Sequence, residues 1–376
     1  MHNKVLQIGA DNFGKGGRSI IAFNLVKNMS DQIQVDFLAT TDYEESPVTA
    51  RIRKHGTIYK IANNLFINLV SLVRKEKYSV VHIHVDQSFE AMKLVIAAKL
   101  GGCKHVIIHA HSSGTGIKYN FFQKTGIKVS RLLIRFINVT KIAVSKKAAQ
   151  YMFGEKIDDV ILLKDGIDLS NYLFNSITRT RLRKSFEIGN ELCIGNVGRL
   201  SYEKKQSFLI KVFNNYLRLN SNAKLIIVGE GQELKKLKQI IKELHLDNKI
   251  KLLGYRSDIP EILQMLDVFV FPSEQEGFGL AALEAQAAGL PTLISRGVPD
   301  EVMVTNLCFK NTSWKAKNWA LDIRKIEKLS ISRLDNSRKS NKKIGAAGYD
   351  IEDSSKKLEK IYMNFFENNL SHRPVS

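Results

Sequence analysis

The sequence predicts an α/β protein built from two doubly wound parallel-sheet domains that face each other across a cleft. Three observations predict it. The chain has 376 residues, too many for one ordinary core and suited to two domains of roughly 100–200 residues each. Short apolar, β-branched runs alternate with longer amphipathic ones, the rhythm of βαβ units. That alternation lapses near residues 169–190 and then restarts.

In the first half the strand candidates are VLQIG (5–9), QVDFLAT (34–40), VVHIH (80–84), HVIIHA (105–110) and KIAV (141–144), with helical patterns between them, as at 63–76 and 87–100. In the second half they are LCIGNV (192–197), AKLIIVG (223–229), KIKLLG (249–254), DVFVFPS (267–273) and PTLIS (291–295). The expected division is a first domain over 1–170, a linker over 171–190 and a second domain over 191–350. Leu358, Ile361, Tyr362 and Phe365 recur at helical spacing, so a terminal helix over about 351–370 is expected to join the first domain. Residues 328–346, rich in Lys, Arg, Ser and Asn, read as a solvated surface stretch. Open parallel sheets bind ligands at the carboxyl ends of their strands, so the cleft between two such sheets is the expected site.

Composition narrows the class. Hydrophobic residues make up 44% and charged residues 25%, the balance of a folded chain. Cys103, Cys193 and Cys308 are scattered with no C-x-x-C pair, which argues against a disulfide framework or a zinc ribbon and for a reducing compartment. The start, MHNKVLQIGA, lacks a basic region leading into a long apolar one, and no apolar run reaches the roughly 18–20 residues that span a bilayer. A cytoplasmic protein is expected. The formal charge of +20 calls for an anionic partner, among nucleic acid, an anionic membrane and a polyphosphate ligand, unless it is a generally basic, solvated surface.

The most informative segment is PSEQEGFGLAALEAQAAG (272–289). It follows a buried strand and offers the carboxylate of Glu276, a glycine-rich turn and an alanine-rich helix. Gly277 and Gly279 permit tight backbone geometry. The N–H groups of Phe278, Gly279 and Leu280 are expected at the helix start, where an anion is stabilised. Glu284 lies about a turn inside that helix. One carboxylate can hold sugar hydroxyls and the other ribose hydroxyls, with a diphosphate near the helix start. A Glu, seven residues, Glu pattern is weak alone; the whole string with its strand and turn is specific.

This string resembles the donor-site motif of glycosyltransferase family 4, retaining enzymes of the GT-B fold, in which two Rossmann-like domains face an interdomain cleft. The resemblance covers nearly the whole chain. GRLSYEKKQ (198–206) is similar to the family's Gly-Arg, four residues, Lys signature. LIIVGEGQELKKL (225–237), with Gly229 and Gly231, looks like the strand and turn near the donor's base and ribose. GKGGRS (14–19), with Gly16 and Gly17, resembles the glycine loop after the first strand, and AVSKKAAQYM followed by LLKDGIDLSNY (162–172) looks like the family's interdomain exit. ISRGVPDEVMVT with the later NWA resembles bacterial enzymes that build capsular or exopolysaccharide repeat units. Two departures stand out: Arg18 replaces a frequent acidic residue, and Asp165 stands where Asn is usual.

The resemblance implies catalytic roles for Glu276, His111, Arg199 and Lys204, and donor contacts for Gly16, Gly17, Arg199, Lys204, Gly229, Gly231, Phe278, Gly279, Leu280 and Glu284. It gives Arg199 and Lys204 the donor diphosphate. The physics agrees, because a departing nucleoside diphosphate gains charge that fixed cations stabilise. The chain has no D-x-D, so no metal is expected at the diphosphate, and no cofactor is expected. His111 ends the strand HVIIHA and by resemblance lies near the transferred sugar. His109 is expected to point elsewhere, and His82 and His84 are set aside as weaker candidates.

Within IKYNFFQKTGIKVSRLLIRFI (117–137), Lys124, Lys128, Arg131 and Arg135 make one basic helical face, beside Val129, Leu132, Leu133 and Phe136. Such a helix suits an anionic membrane, though a helix docked on its own core has the same pattern. The expected activity is retaining transfer of a hexose or N-acetylhexosamine, from a UDP-sugar by family frequency, to a lipid-linked saccharide at the inner face of the cell membrane. The competing readings are a sugar-nucleotide epimerase of the same fold and, from another class, a basic nucleic-acid-binding protein. The chain carries no nucleic-acid recognition motif.

Overall fold

A computed structural model describes residues 3–10, 17–27, 29–112, 114, 120–329 and 332–371. The chain divides into two compact units, Met1–Gly166 with Gly348–Ser376, and Ile167–Ala347.

The first unit holds seven strands: β1 (Asn3–Ile8), β2 (Ile33–Ala39), β3 (Ile58–Lys60), β4 (Val80–Val85), β5 (His105–Ala110), β6 (Thr140–Ala143) and β7 (Val160–Leu162). They form one sheet in the order β3-β2-β1-β4-β5-β6-β7, with every pairing parallel. β4 is buried along its whole length, as a central strand covered on both faces must be. Strand order reverses between β1 and β4, the switch point at which such sheets bind ligands. The helix Ile351–Ser371 belongs to this unit. It packs against the helix Gly17–Val26 and sets Tyr362, fully buried, over the sheet.

The second unit holds β8 (Leu192–Val197), β9 (Ala223–Val228), β10 (Ile250–Leu252), β11 (Val268–Phe271), β12 (Thr292–Ser295) and β13 (Cys308–Asn311). Their order is β10-β9-β8-β11-β12-β13, again all parallel, with the switch point between β8 and β11. Trp319, Phe213 and Tyr216 fill the core under one face. The helix Leu280–Ala287 is short and rich in alanine, and buries Ala282, Leu283, Ala285 and Ala287. Small side chains let its axis lie close to the sheet.

Residues 171–190, expected as a linker, contain the helix Ser176–Ser185 and sit in the second unit. Asn175 caps that helix, Leu182 is buried, and Arg179 and Arg183 both reach Asp267 beside β11, at 2.6 and 3.1 Å. The segment whose weak periodicity looked like a linker is a helix that docks through Arg179 and Arg183 as well as Leu182. Likewise residues 333–346, read as a solvated stretch, form a helix that buries Ser337, Ser340 and Ile344. The three strands absent from the sequence reading, β3, β7 and β13, are the short edge strands of three or four residues, where the apolar run is too brief to register. Cys103, Cys193 and Cys308 are buried free thiols.

Candidate functional site

In the second unit, the loops leaving β8 and β11 flank the switch point. After β8 the chain runs through Gly198, Arg199 and Leu200 into a single 3-10 turn, Tyr202–Lys204. Arg199 is exposed, and its guanidinium has no hydrogen bond or ion pair among the described residues. Lys204 forms an ion pair with Glu276, with side chains 24% and 10% exposed respectively. The ammonium also lies 5.3 Å from the Phe271 ring centroid. A carboxylate this enclosed is costly without a cation beside it, so the pair holds Glu276 in place.

The loop that carries Glu276 is fixed from both sides. The Glu274 N–H donates to the Glu203 carbonyl at 2.7 Å, and the Glu276 N–H to the Gly297 carbonyl at 3.1 Å. The Ser273 hydroxyl donates to the Glu203 and Gln275 carbonyls, and Lys205 pairs with Glu274 at 2.7 Å. Gly279 ends the loop at φ +98°, the left-handed region where a side chain is strained, and starts the helix Leu280–Ala287 without any side-chain cap. That leaves the helix's first N–H groups to a ligand. Gly277 differs: a Cβ there meets nothing within 4 Å, so its role is to leave space.

Gly229 and Gly231 lock the loop after β9 onto the loop after β8. At Gly229 (φ +139°) a Cβ would lie 2.0 Å from the Gly198 carbonyl oxygen, and at Gly231 (φ +156°) 2.2 Å from that of Leu200. The Leu200 N–H donates to the Glu230 carbonyl at 2.8 Å, and the Glu233 N–H returns to the Leu200 carbonyl at 3.1 Å. Only glycine permits this approach, and it fixes the backbone on either side of Arg199.

Glu284 retains a little accessible surface, but protein atoms crowd its carboxyl. Burial pushes its pKa up to about 7, against the opposing effect of a hydrogen bond from Tyr172. Tyr172 is itself buried, and its hydroxyl is held well above its usual range by burial and by the Glu284 carboxyl. Sequence reasoning missed Tyr172, because it lies in the segment taken for an exit from the first domain.

In the first unit, β4 and β5 pair with His84 opposite His109. Residues two apart in a strand share a face, so His82, His84, His109 and His111 all stand on one side of the sheet. The expectation that His109 points away from His111 is thereby corrected: their rings lie 4.3 Å apart. His82 Nδ1 is 2.5 Å from the Tyr362 hydroxyl and its Nε2 is 3.2 Å from His109 Nδ1. His84 Nδ1 is 2.9 Å from His111 Nε2 and its Nε2 is 2.7 Å from Gln7 Oε1. Gln7 closes the array by donating to the Tyr362 hydroxyl at 2.8 Å. Burial lowers His82 to about 3 and His84 and His109 well below their usual range, so these three are neutral. Asp165 Oδ1 lies 3.7 Å from His111 Nδ1. Groups able to offer metal ligands are His82 with His84 and His109, and His109 with His111 and Asp165. The array was legible: two His-x-His repeats, at 82–84 and 109–111, at the period of a strand.

Comparison with known proteins gives the class. Residues 178–349, nearly all of the second unit, match the family model described as glycosyl transferases group 1. The chain is 26% identical over 366 residues to the glycosyltransferase EpsF of Bacillus subtilis, covering 93% of each chain. The chain is a glycosyltransferase whose residues 178–349 are of the group 1 type. A second relative of this glycosyltransferase, 28% identical over 311 residues and 77% of each chain, is the UDP-Gal:alpha-D-GlcNAc-diphosphoundecaprenol alpha-1,3-galactosyltransferase of Escherichia coli. A third, 24% identical over 93% of this chain and 96% of the other, is the capsular polysaccharide biosynthesis glycosyltransferase CapH of Staphylococcus aureus. HepE of Anabaena, solved in complex with UDP-glucose, superposes with a TM-score of 0.78 at 19% identity, covering 96% of this chain and 99% of that one. That likeness gives the fold, the two-Rossmann GT-B architecture.

Among the sequence-predicted residues of this glycosyltransferase, the second unit brings Arg199, Lys204, Gly229, Gly231, Glu276, Phe278, Gly279, Leu280 and Glu284 to the carboxyl edge of its sheet. His111 sits at the carboxyl edge of the first unit's sheet, just past β5. Gly17 opens the helix Gly17–Val26, and Gly16 lies outside the described residues. Arg18, one of the departures, pairs with Asp86 at 2.9 Å.

Proposed function

We propose that this enzyme is a retaining hexosyltransferase that moves a sugar from UDP to a lipid-linked saccharide at an anionic membrane face, in capsule or exopolysaccharide assembly. The observation that carries this reading is the second unit's carboxyl edge, where an unpaired Arg199, the Lys204–Glu276 pair and an uncapped helix start lie around one switch point. The names of the Escherichia coli and Staphylococcus aureus relatives and of the HepE complex support the donor, acceptor and pathway class.

In this reading Arg199 and Lys204 take up charge on the departing diphosphate with no metal bridging it, beside the N–H groups of the helix start. Glu276 accepts from hydroxyls of the transferred sugar, and Glu284 from the ribose. His111 acts at the transferred sugar. Glu276 is committed to Lys204 and to hydroxyls, so front-face attack is favoured, with the leaving phosphate helping to take the acceptor's proton.

Calorimetric titration with UDP, GDP and ADP, with and without EDTA, tests the donor site. One nucleotide is expected to bind, unaffected by EDTA. Its affinity is expected to strengthen as pH rises through about 7, where Glu284 becomes an ionised acceptor for the ribose, and to lose that pH dependence in Glu284→Gln. Folded protein that binds none of the three would sink the reading.

The acceptor side rests on the helix Phe121–Phe136. It buries Ile127, Ser130 and Ile134 and leaves Val129, Leu132, Leu133 and Phe136 exposed, so the apolar stripe named in the sequence is not docked on the unit's core. Phe122 and Phe136 are 83% and 82% exposed. Lys124, Lys128 and Arg131 line a cavity of about 300 Å³ beside Phe121 and Tyr151. Aromatic side chains next to lysines and arginines suit the interface of an anionic bilayer. No helix among the described residues is long and apolar enough to cross a membrane. Sedimentation with phosphatidylglycerol vesicles is expected to recover the protein at low salt, and Phe122→Ser with Phe136→Ser to release it. Equal recovery of the double variant would remove this helix from the membrane contact.

A further inference from the structure

We propose that His109, His111 and Asp165 hold one buried water, which closes a ring of hydrogen bonds running in a single sense through both histidine rows. The Tyr362 hydroxyl is buried and accepts from Gln7 Nε2 at 2.8 Å. Its own hydrogen therefore goes to its other neighbour, His82 Nδ1. A neutral imidazole that accepts at Nδ1 carries its hydrogen on Nε2, so His82 Nε2 donates to His109 Nδ1. By the same rule His109 carries its hydrogen on Nε2. In the other row the Gln7 carbonyl oxygen, which can only accept, takes the hydrogen of His84 Nε2. His84 Nδ1 then accepts from His111 Nε2 at 2.9 Å, and a neutral His111 is left with a lone pair at Nδ1. An imidazolium would aim a second N–H at Asp165 Oδ1, but that oxygen lies 3.7 Å from His111 Nδ1, too far for a hydrogen bond.

One donor and two acceptors are left over. His109 Nε2, His111 Nδ1 and Asp165 Oδ1 are buried atoms with no hydrogen-bond partner among the described residues. One nitrogen or oxygen from each of these residues lies within 4.8 Å of the others. Around an oxygen with tetrahedral hydrogen bonds of about 2.9 Å, partners stand about 4.7 Å apart. Native proteins match such buried groups with an ordered water or an ion. The hydrogens choose between them. A water accepts one hydrogen and donates two, which matches this set group for group. A metal ion would face the His109 hydrogen where it needs a lone pair, and an ammonium has no lone pair to accept that hydrogen. A sugar hydroxyl has one hydrogen and leaves either His111 or Asp165 unmatched.

With the water in place every donor points the same way. The hydrogens pass from the water to His111, then to His84, Gln7, Tyr362, His82 and His109, and so back to the water. Hydrogen bonds arranged head to tail polarise one another, so the ring is stronger than its separate bonds. Gln7 sets its sense, because its nitrogen faces Tyr362 and its oxygen faces His84. Gln7 is thus a positioning residue for His111, which it reaches through His84. Asp165 takes the water's second hydrogen and keeps the water turned toward it. Both nitrogens of His111 are spent in the ring. In the proposed transferase His111 therefore meets a sugar through this oxygen; that use rests on the transferase reading, and the ring does not.

Two measurements on the full chain at pH 8 test this. High-resolution crystals are expected to show one oxygen at about 2.7–3.2 Å from each of His109 Nε2, His111 Nδ1 and Asp165 Oδ1. Histidine-15N NMR is expected to find His82, His84, His109 and His111 all carrying their hydrogen on Nε2, with the His109 hydrogen in cross-relaxation with a bound water. Gln7→Leu removes both the donor to Tyr362 and the acceptor for His84, and is expected to lose the single set of tautomers. The wild-type measurements decide the proposal whether or not that variant folds. A hydrogen on His109 Nδ1 overturns it, and so does a direct bond between His111 and Asp165, a metal ion at the site, or no oxygen there. Crystals soaked with UDP-glucose separate the two sources of oxygen. An isolated oxygen present before and after soaking is the water; a hexose hydroxyl that enters a site with no oxygen before soaking overturns the water ring. UDP titration of the same protein reads the transferase assignment separately, because no second-unit residue enters the ring.

Discussion

Arg199→Ala is expected to lower turnover about 10²–10³-fold while leaving the unfolding temperature unchanged. The size is that of losing one preorganised group that stabilises charge in the transition state. The unchanged stability follows from the structure: the Arg199 guanidinium is exposed and makes no hydrogen bond or ion pair among the described residues, so its removal strands no partner. Lys204→Ala is expected to behave differently. It lowers turnover by a similar factor, but it also leaves Glu276 without its cation at 10% exposure, so the unfolding temperature falls as well. Adding Glu276→Gln to Lys204→Ala is expected to recover stability and not turnover. Rates measured with a radiolabelled UDP-sugar, beside calorimetric melting, read both effects. Turnover of Arg199→Ala within threefold of wild type would remove it from the diphosphate.

Stability of the first unit is expected to fall steeply as pH drops below about 6.5. His82 is lowered to about 3 and His84 and His109 well below 6.5, with burial the leading cause in each. The unfolded chain binds protons at these residues below about 6.5, and the folded chain does not. A group with a depressed folded pKa contributes stability above its unfolded value and loses it as pH falls through the window between the two. Each fully titrating histidine adds about 1.4 kcal/mol per pH unit, so three together approach about 4 kcal/mol per unit. A domain's whole stability is about 5–15 kcal/mol, so acid unfolding near pH 5 is expected. Urea unfolding at pH 7, 6 and 5 in EDTA, followed by first-unit probes, checks this. A midpoint that stays constant over that range would mean the histidines are charged in the folded state.

The two sheets were legible because buried parallel strands read as mostly apolar runs, continuous in β11 (VFVF) and broken by only one or two polar residues in β4 (VVHIHV), β8 (LCIGNV) and β9 (AKLIIV). The donor loop was legible because glycines and carboxylates followed such a run at fixed spacing. What escaped was held by contacts remote in sequence. Tyr172 meets Glu284 across more than a hundred residues, and Arg179 and Arg183 find Asp267 at a similar separation. The histidine array is a different lesson. Both His-x-His repeats were visible, but their significance depended on His84 standing opposite His109, and on Gln7 and Tyr362 arriving from opposite ends of the chain.

The first unit is discontinuous in sequence, and this bears on how the chain leaves the ribosome. Its sheet is made early, but Tyr362, which meets both Gln7 and His82 over that sheet, is translated only after the whole second unit. The second unit, contiguous from Ile167 to Ala347, has all its contacts available sooner. The half encoded second can therefore finish folding first. The nascent first half waits with buried polar groups unmatched, exposed to chaperones and proteases, until the helix Ile351–Ser371 follows the second unit out of the ribosome.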